Sequence, residues 1–152
     1  MPKSQKDTEP LSVFLDSNIF ISAILSQKGG SYRLFHEARL NNIKIFSSFF
    51  VVREVMEVVE RKYPSKLEKL KELFVSTSIN LIKNPPEKEI QKFIKFLDDF
   101  EDAPVIADAK FSKSDFLITL DRKHFFTPKI KNAKLSFQIT NPRDFFQKYW
   151  IK

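Results

Sequence analysis

A chain of 152 residues is long enough to bury a real core, and its 42% hydrophobic content excludes wholesale disorder. The absence of cysteine excludes disulfides and thiolate metal sites, which suits a reducing, cytoplasmic setting. The formal net charge of +7 is unevenly spread: basic residues crowd residues 122–134, whereas four of the five residues in "DDFED" (98–102) are acids. A basic surface beside an acidic spot suits an enzyme acting on a polyanion, although on charge alone a soluble protein with a lysine-rich surface is the better reading.

The leader "MPKSQKDTEP" (1–10) is polar, without the apolar run of a secretory signal, and reads as a flexible segment before one domain over 11–152. No apolar run approaches the ~20 residues of a membrane helix, so no membrane association is expected. "LSVFLD" is apolar almost throughout, as in a strand covered on both faces. Ser17 and Asn18 open a helix to about Ser26, which Gly29 and Gly30 are expected to end. A second helix follows over about 31–40, then a strand, "IKIF". Ser47 or Ser48 can cap a helix reaching about Arg61, and Pro64 separates it from another over 64–76. "INLIK" is a candidate strand, and "NPPEKEIQKFIKFLDDF" has Pro and Glu in the first turn of a helix. A helix over "DAPVIADAKFSKS" leads into a second buried strand, "DFLITLD". "AKLSFQI" is a possible last strand and "NPRDFFQKYW" a closing helix. This alternation predicts a three-layer α/β/α sandwich around a central, mainly parallel twisted sheet. Trp150 and much of the phenylalanine are assigned to the core.

Ligands of open parallel sheets bind beyond the carboxyl ends of the strands. Asp16 and Asp121 stand at the ends of the two most apolar strands, although Asp16 can also cap a helix and Asp121 can begin a turn. Asp102 shares a helical face with Val105, Ile106 and Ala109, so its carboxylate is expected to point inward and to need a cation or donors. Asp98, Asp99 and Glu101 lie off that stripe. Glu54 is the acid nearest the apolar arc of its helix, while Glu57 and Glu60 lie farther toward solvent. Clustered carboxylates suit Mg2+ or Mn2+, which can activate water against a phosphodiester; zinc is disfavoured with only His36 and His124 available.

The order of these acids resembles the PIN-domain family of nucleases. "VFLDSNIFISAIL" resembles the family's opening strand and acid, "SSFFVVREVMEVVERK" the helix bearing the second acid, and "EDAPVIADAKFSKSDFLITLDRKHF" the third acid followed by an "LxTxD" strand end. "NPRDFF" resembles the closing Pro-x-x-Phe element. The resemblance spans roughly residues 11–146 and is nearest to the toxin components of type II toxin–antitoxin systems. It implies a metal-dependent ribonuclease with Mg2+ or Mn2+ held by Asp16, Glu54, Asp102 and Asp121, leaving a 5′-phosphate and a 3′-hydroxyl. It lends Asn18 and Thr119 supporting roles and leaves Asp115, in "SKSD", as an alternative acid. Arg122 and Lys123, directly after the last acid, are expected to meet the RNA backbone. A cognate antitoxin and a homodimer are the implied partners.

Three other readings compete. A PIN fold can bind RNA or protein without cutting. A phosphoacceptor receiver domain also carries acids at strand ends, but an adjacent acid pair would be expected where Asp16 is followed by Ser17 and Asn18. In the third, the aspartates are only helix caps.

Overall fold

The computed structural model describes residues 9–94 and 103–150. Five strands form one sheet: β1 (Leu11–Leu15), β2 (Ile43–Ser48), β3 (Ile79–Ile82), β4 (Phe116–Ile118) and β5 (Gln138–Thr140). Their spatial order is β3-β2-β1-β4-β5 and every pairing is parallel. The expected three-layer α/β/α sandwich is therefore the observed fold. β1 is central, with Val13 opposite both Ile45 and Phe116, which explains its nearly continuous apolar sequence.

Parallel neighbours need crossovers, and these are right-handed as a rule. The chain moves from β1 outward to β3 through α1 (Ser17–Leu25), α2 (Gly30–Arg39), α3 (Phe49–Lys62) and α4 (Leu67–Ser76). It then returns to β4 through α5 (Glu87–Ile94) and α6 (Ala103–Ser112). The reversal of direction between these two runs places them on opposite faces. α1 accordingly packs on α2, α3 and α4, whereas α6 packs on α5 and crosses β2, β3 and β4. Short helices α7 (Arg122–Phe125) and α8 (Pro128–Asn132) lead to β5, and α9 (Pro142–Asp144) runs into a π turn at Phe145–Tyr149.

Several local expectations are corrected. Gly29 and Gly30 do not end α1, which stops at Leu25 with Ser26 as its C-cap; Gly30 begins α2 instead. Neither glycine has positive φ, so neither is a left-handed cap. Gly30 serves close approach: a Cβ there would lie 3.0 Å from Pro142 Cβ. The last strand is only Gln138–Thr140: Ala133 is the C-cap of α8, and residues 134–137 are irregular chain leading into the strand. The helix expected from Pro64 is a 3-10 turn, Pro64–Lys66, continuing into α4. Ser48, not Ser47, caps α3, accepting from Val51 N at 3.2 Å.

The phenylalanines are largely interior. Phe14, Phe20, Phe35, Phe125 and Phe145 are fully buried, and Phe20 stacks on Phe74 with ring centroids 5.5 Å apart. Trp150 is half-buried against Phe145 and Phe146. Among the described residues no helix is long and apolar enough to cross a membrane.

Leu15 is fully buried and is the last residue of the central strand before Asp16. Leu15→Ala is expected to cost about 2–5 kcal/mol in urea unfolding, the transfer and cavity penalty of a core leucine. A loss within about 0.5 kcal/mol would mean that β1 is not packed as described.

Candidate active site

β1 and β4 deliver Asp16 and Thr119 side by side at the carboxyl edge of the sheet. Asp16 N donates to Ile118 O at 3.1 Å, continuing the ladder one step past β1. Thr119 Oγ1 then donates to Asp16 Oδ2 at 2.8 Å. The same hydroxyl accepts from Asn18 Nδ2 at 3.2 Å and from Asp121 N at 3.1 Å. Asn18 completes a lattice: its Nδ2 also reaches Asp16 Oδ2 at 3.3 Å, and its Oδ1 accepts from Leu120 N at 3.0 Å. Every polar side-chain atom of Asn18 and Thr119 therefore joins β1 to β4 or orients Asp16.

Asp16 is also the N-cap of α1, since its Oδ1 accepts from Ser17 N at 2.8 Å. The capping and site readings of this residue are thus compatible, because the two oxygens are used separately. Burial pushes the Asp16 carboxyl up to about 6; the donors Thr119 and Ser17 pull it down, while the charges of Glu54 and Asp121 push it up further. Asp16 is therefore close enough to two other sequence-predicted acids, Glu54 and Asp121, to feel their charge.

Glu54 reaches the group from α3. Its Oε1 is bonded to the hydroxyl of Ser17 in a short contact, although the side chain remains exposed. At the base of that helix, Ser47 Oγ donates to Leu15 O at 3.1 Å and ties the end of β2 to the end of β1. Asp121 is half-buried and caps α7: Oδ1 accepts from His124 N at 3.1 Å, and Oδ2 lies 2.8 Å from His124 Nδ1. Arg122 and Lys123 are exposed on α7, directly beside that acid. Asp102, together with Asp98, Asp99 and Glu101, lies outside the described residues.

Asp115 does not join this group. Its Oδ2 accepts from Ser12 N at 2.9 Å and Ser12 Oγ at 3.1 Å, at the opposite, amino edge of β1 and β4. The reason is distance along the strand: Asp115 directly precedes β4, and Asp121 lies three positions beyond its end at Ile118.

Two titratable residues, His124 and Asp108, were given no place in the site from the sequence. His124 is one turn beyond Asp121, a spacing that a short helix would have flagged. Asp108 is the more unexpected. It is fully buried on α6, with no hydrogen-bonding partner for either oxygen among the described residues. Burial pushes it up to about 6, partly offset by the nearby Ser48 hydroxyl, which stands outside hydrogen-bonding geometry. Helical periodicity does not single it out, because α6 is buried nearly all round, Ala103, Ile106, Ala107, Asp108 and Ala109 alike.

The donors at the carboxyl edge are oxygens, as hard divalent cations require. Like charges that raise the Asp16 pKa are what a bound cation would relieve. The donor chemistry therefore fits Mg2+ or Mn2+. Among the described residues, however, no three acidic or histidine side chains gather closely enough to hold one ion.

The model of the PIN domain matches residues 12–123, well over half of the 152-residue chain. The chain belongs to the PIN-domain family. This family generally uses divalent metal ions. A chain in the structure of VapBC2 from Rickettsia felis, bound to a DNA fragment from its promoter, is similar in fold, with TM-score 0.61 and 18% identity over 86% of this chain and 98% of the other. PAE2754 from Pyrobaculum aerophilum aligns with TM-score 0.57 and 13% identity, covering 84% of this chain and 89% of its own. VapC20 of Mycobacterium tuberculosis, a toxin that cleaves the sarcin–ricin loop, aligns with TM-score 0.52 and 15% identity over 73% of this chain and 91% of its own. No curated protein matches the chain in sequence.

Asp108 gives a test with a definite sign. Its folded-state pKa, about 6, lies above the ordinary 3.8, so the folded protein holds the proton more tightly than the unfolded chain. That contribution is fully present below about pH 4 and is lost as pH rises to about 6. Urea unfolding of wild type and Asp108→Asn is expected to show a difference that shifts in favour of the variant across that window, by about 1 kcal/mol or more, and stays level above about pH 7. Parallel pH profiles would show that Asp108 does not titrate there.

Proposed function

We propose that this protein is a metal-dependent ribonuclease of the PIN class, hydrolysing RNA phosphodiesters at the carboxyl edge of β1 and β4. The observation that carries the reading is the convergence on Asp16: Thr119 and Asn18 orient its carboxylate while Glu54 and Asp121 bring like charge to it. Such repulsion between carboxylates is a cost that folding alone does not reward, and a divalent cation supplies the compensation. Membership of the PIN family and the toxins among similar folds support the same reading.

In this account Asp16, Glu54, Asp102 and Asp121 hold Mg2+ or Mn2+. The ion, when bound, supplies charge neutralisation at the scissile phosphate and acidification of water. The chain's own residues do the positioning. Thr119 and Asn18 fix the rotamer of Asp16, leaving it no freedom to turn away when substrate arrives. The His124 ring steadies Asp121, and its backbone N–H does the same from the other oxygen. Ser17 holds Glu54 toward the group. Arg122 and Lys123 offer positive charge to the RNA backbone beside a site that, without metal, would repel it.

We assign the protein the role of toxin in a toxin–antitoxin pair, acting in the cytoplasm as a homodimer and restrained by a protein antitoxin. The second reading is a PIN-fold module that binds RNA or protein without cutting. It is favoured by one observation, that the described carboxylates do not close around a single ion.

Cleavage separates the two. With Mn2+ and a panel of structured RNAs, the wild-type protein is expected to release fragments with 5′-phosphate ends. Asp16→Asn and Asp121→Asn should each lower the rate at least ~100-fold while melting as folded proteins, the scale on which loss of a group needed in the transition state is felt. Cleavage that survives both substitutions would contradict the site; folded, RNA-binding wild-type protein that cuts nothing would favour the module.

A further inference from the structure

Beside the acid group lies a cavity of about 840 Å³, built where the N-terminus of α2 faces the segment that follows β5. Leu120 and Arg122, the two residues flanking Asp121, form part of its wall, so the cavity adjoins the candidate active site along the chain, although none of Asp16, Glu54 and Asp121 lines it. Its charge is opposite to that of the site. Lys28, Arg33, Arg122 and Arg143 line it, and none of the four has an ion-pair partner among the described residues. The single acid of the lining, Asp144, is already engaged by Lys148 at 3.7 Å and by Asn141 Nδ2 at 3.4 Å.

Two further features mark the cavity as a place for an anion. Ser31 is only 3% exposed and lines the wall, yet its hydroxyl has no hydrogen-bonding partner among the described residues. Gly29 caps α2 without a side chain, so the N–H groups of Gly30, Ser31 and Tyr32 have no acceptor within the helix. They stand at the positive end of the helix dipole, where phosphate is favoured. The geometry is held from behind. Gly30 packs at the contact limit on Pro142, and the Arg33 guanidinium lies over the Phe146 ring at 4.1 Å from its centroid.

We infer that this cavity binds the phosphodiester backbone of a single-stranded RNA segment flanking the scissile phosphate, with Lys28, Arg33 and Arg143 as phosphate contacts and Ser31 as a donor. The inference rests on the ribonuclease reading for the identity of the strand. A strand leaving the acids past Arg122 enters the cavity without crossing another acidic surface of its wall. The division of labour is then spatial: carboxylates meet one phosphate, and the cations meet its neighbours.

The test uses a fluorescein-labelled mixed-sequence RNA 12-mer, anisotropy readout, the full chain and EDTA, so that binding is measured without cleavage. Arg33→Ala with Arg143→Ala is expected to weaken binding at least 10-fold at low salt. It should also reduce the slope of log affinity against log salt by about 1.4, the value for two phosphate contacts on a single strand. Because Arg33 also packs on Phe146, the pair Lys28→Gln with Arg143→Gln repeats the test with that contact intact. Its slope is expected to fall equally. Wild-type protein that does not bind the 12-mer, or variants with unchanged slope, would overturn the inference, as would a cavity that binds an acidic peptide and not RNA. The two readings fail separately. Unchanged slopes beside Mn2+-dependent cleavage would remove the cavity alone, whereas reduced slopes in a protein that cuts nothing would remove the nuclease alone.

Discussion

The hydrogen bond from Thr119 to Asp16 is the constraint on which the site depends. It joins the ends of the two buried strands at the middle of the sheet and holds a buried carboxylate whose ordinary preference would be for water. Around it, Asn18 and the Asp121 backbone complete the hydroxyl's bonding, so the cluster has no slack in which to rearrange. The same lattice explains why two apolar strands end on acids. The strands need apolar residues because helices cover both faces, and their shared edge is the first place where a carboxylate can be both positioned and approached. Glu54, arriving from α3 and held by Ser17, adds charge from a different element without adding a new anchor.

How much of this could be read beforehand depended on whether a residue's role was local. Asp16 and Asp121 were visible because an apolar run ending on an acid is a pattern of a few neighbouring residues. So was the parallel sheet, from alternating strand and helix signals. Asn18 and Thr119 emerged only through the family resemblance, since their meeting across 101 residues of chain is a property of β1 pairing with β4. Asp115 was misplaced as a candidate for the opposite reason: near Asp121 in sequence, it sits at the far end of the strand. Asp108 was missed because helical periodicity distinguishes faces only when one of them meets solvent, and α6 has almost none. Gly30 was read through its conformational freedom when its actual use is its lack of a side chain against Pro142.

Electrostatically, the carboxyl edge of the sheet is divided. Acids gather over β1 and β4, and bases line the hollow beyond β5. Had the two sets been interleaved, they would have neutralised one another as surface ion pairs, which contribute little and bind nothing. Kept apart, each remains available. The net charge of +7 alone could not have located this arrangement. Asp108 stands outside both sets. It is a buried acid on α6, the helix packed against β2, β3 and β4.

The most direct test of the account is a calorimetric titration of Mn2+ into the wild-type protein, Asp16→Asn and Asp121→Asn at about pH 7.5, above the raised Asp16 pKa of about 6. Carboxylate to amide preserves shape and capping ability while removing the charge a metal needs. The account predicts that the wild type binds Mn2+ and that each substitution weakens binding by at least ~10-fold in a folded protein, a loss of about 1.4 kcal/mol or more. Equal binding by all three would contradict it, leaving the two aspartates as helix caps at the ends of neighbouring strands.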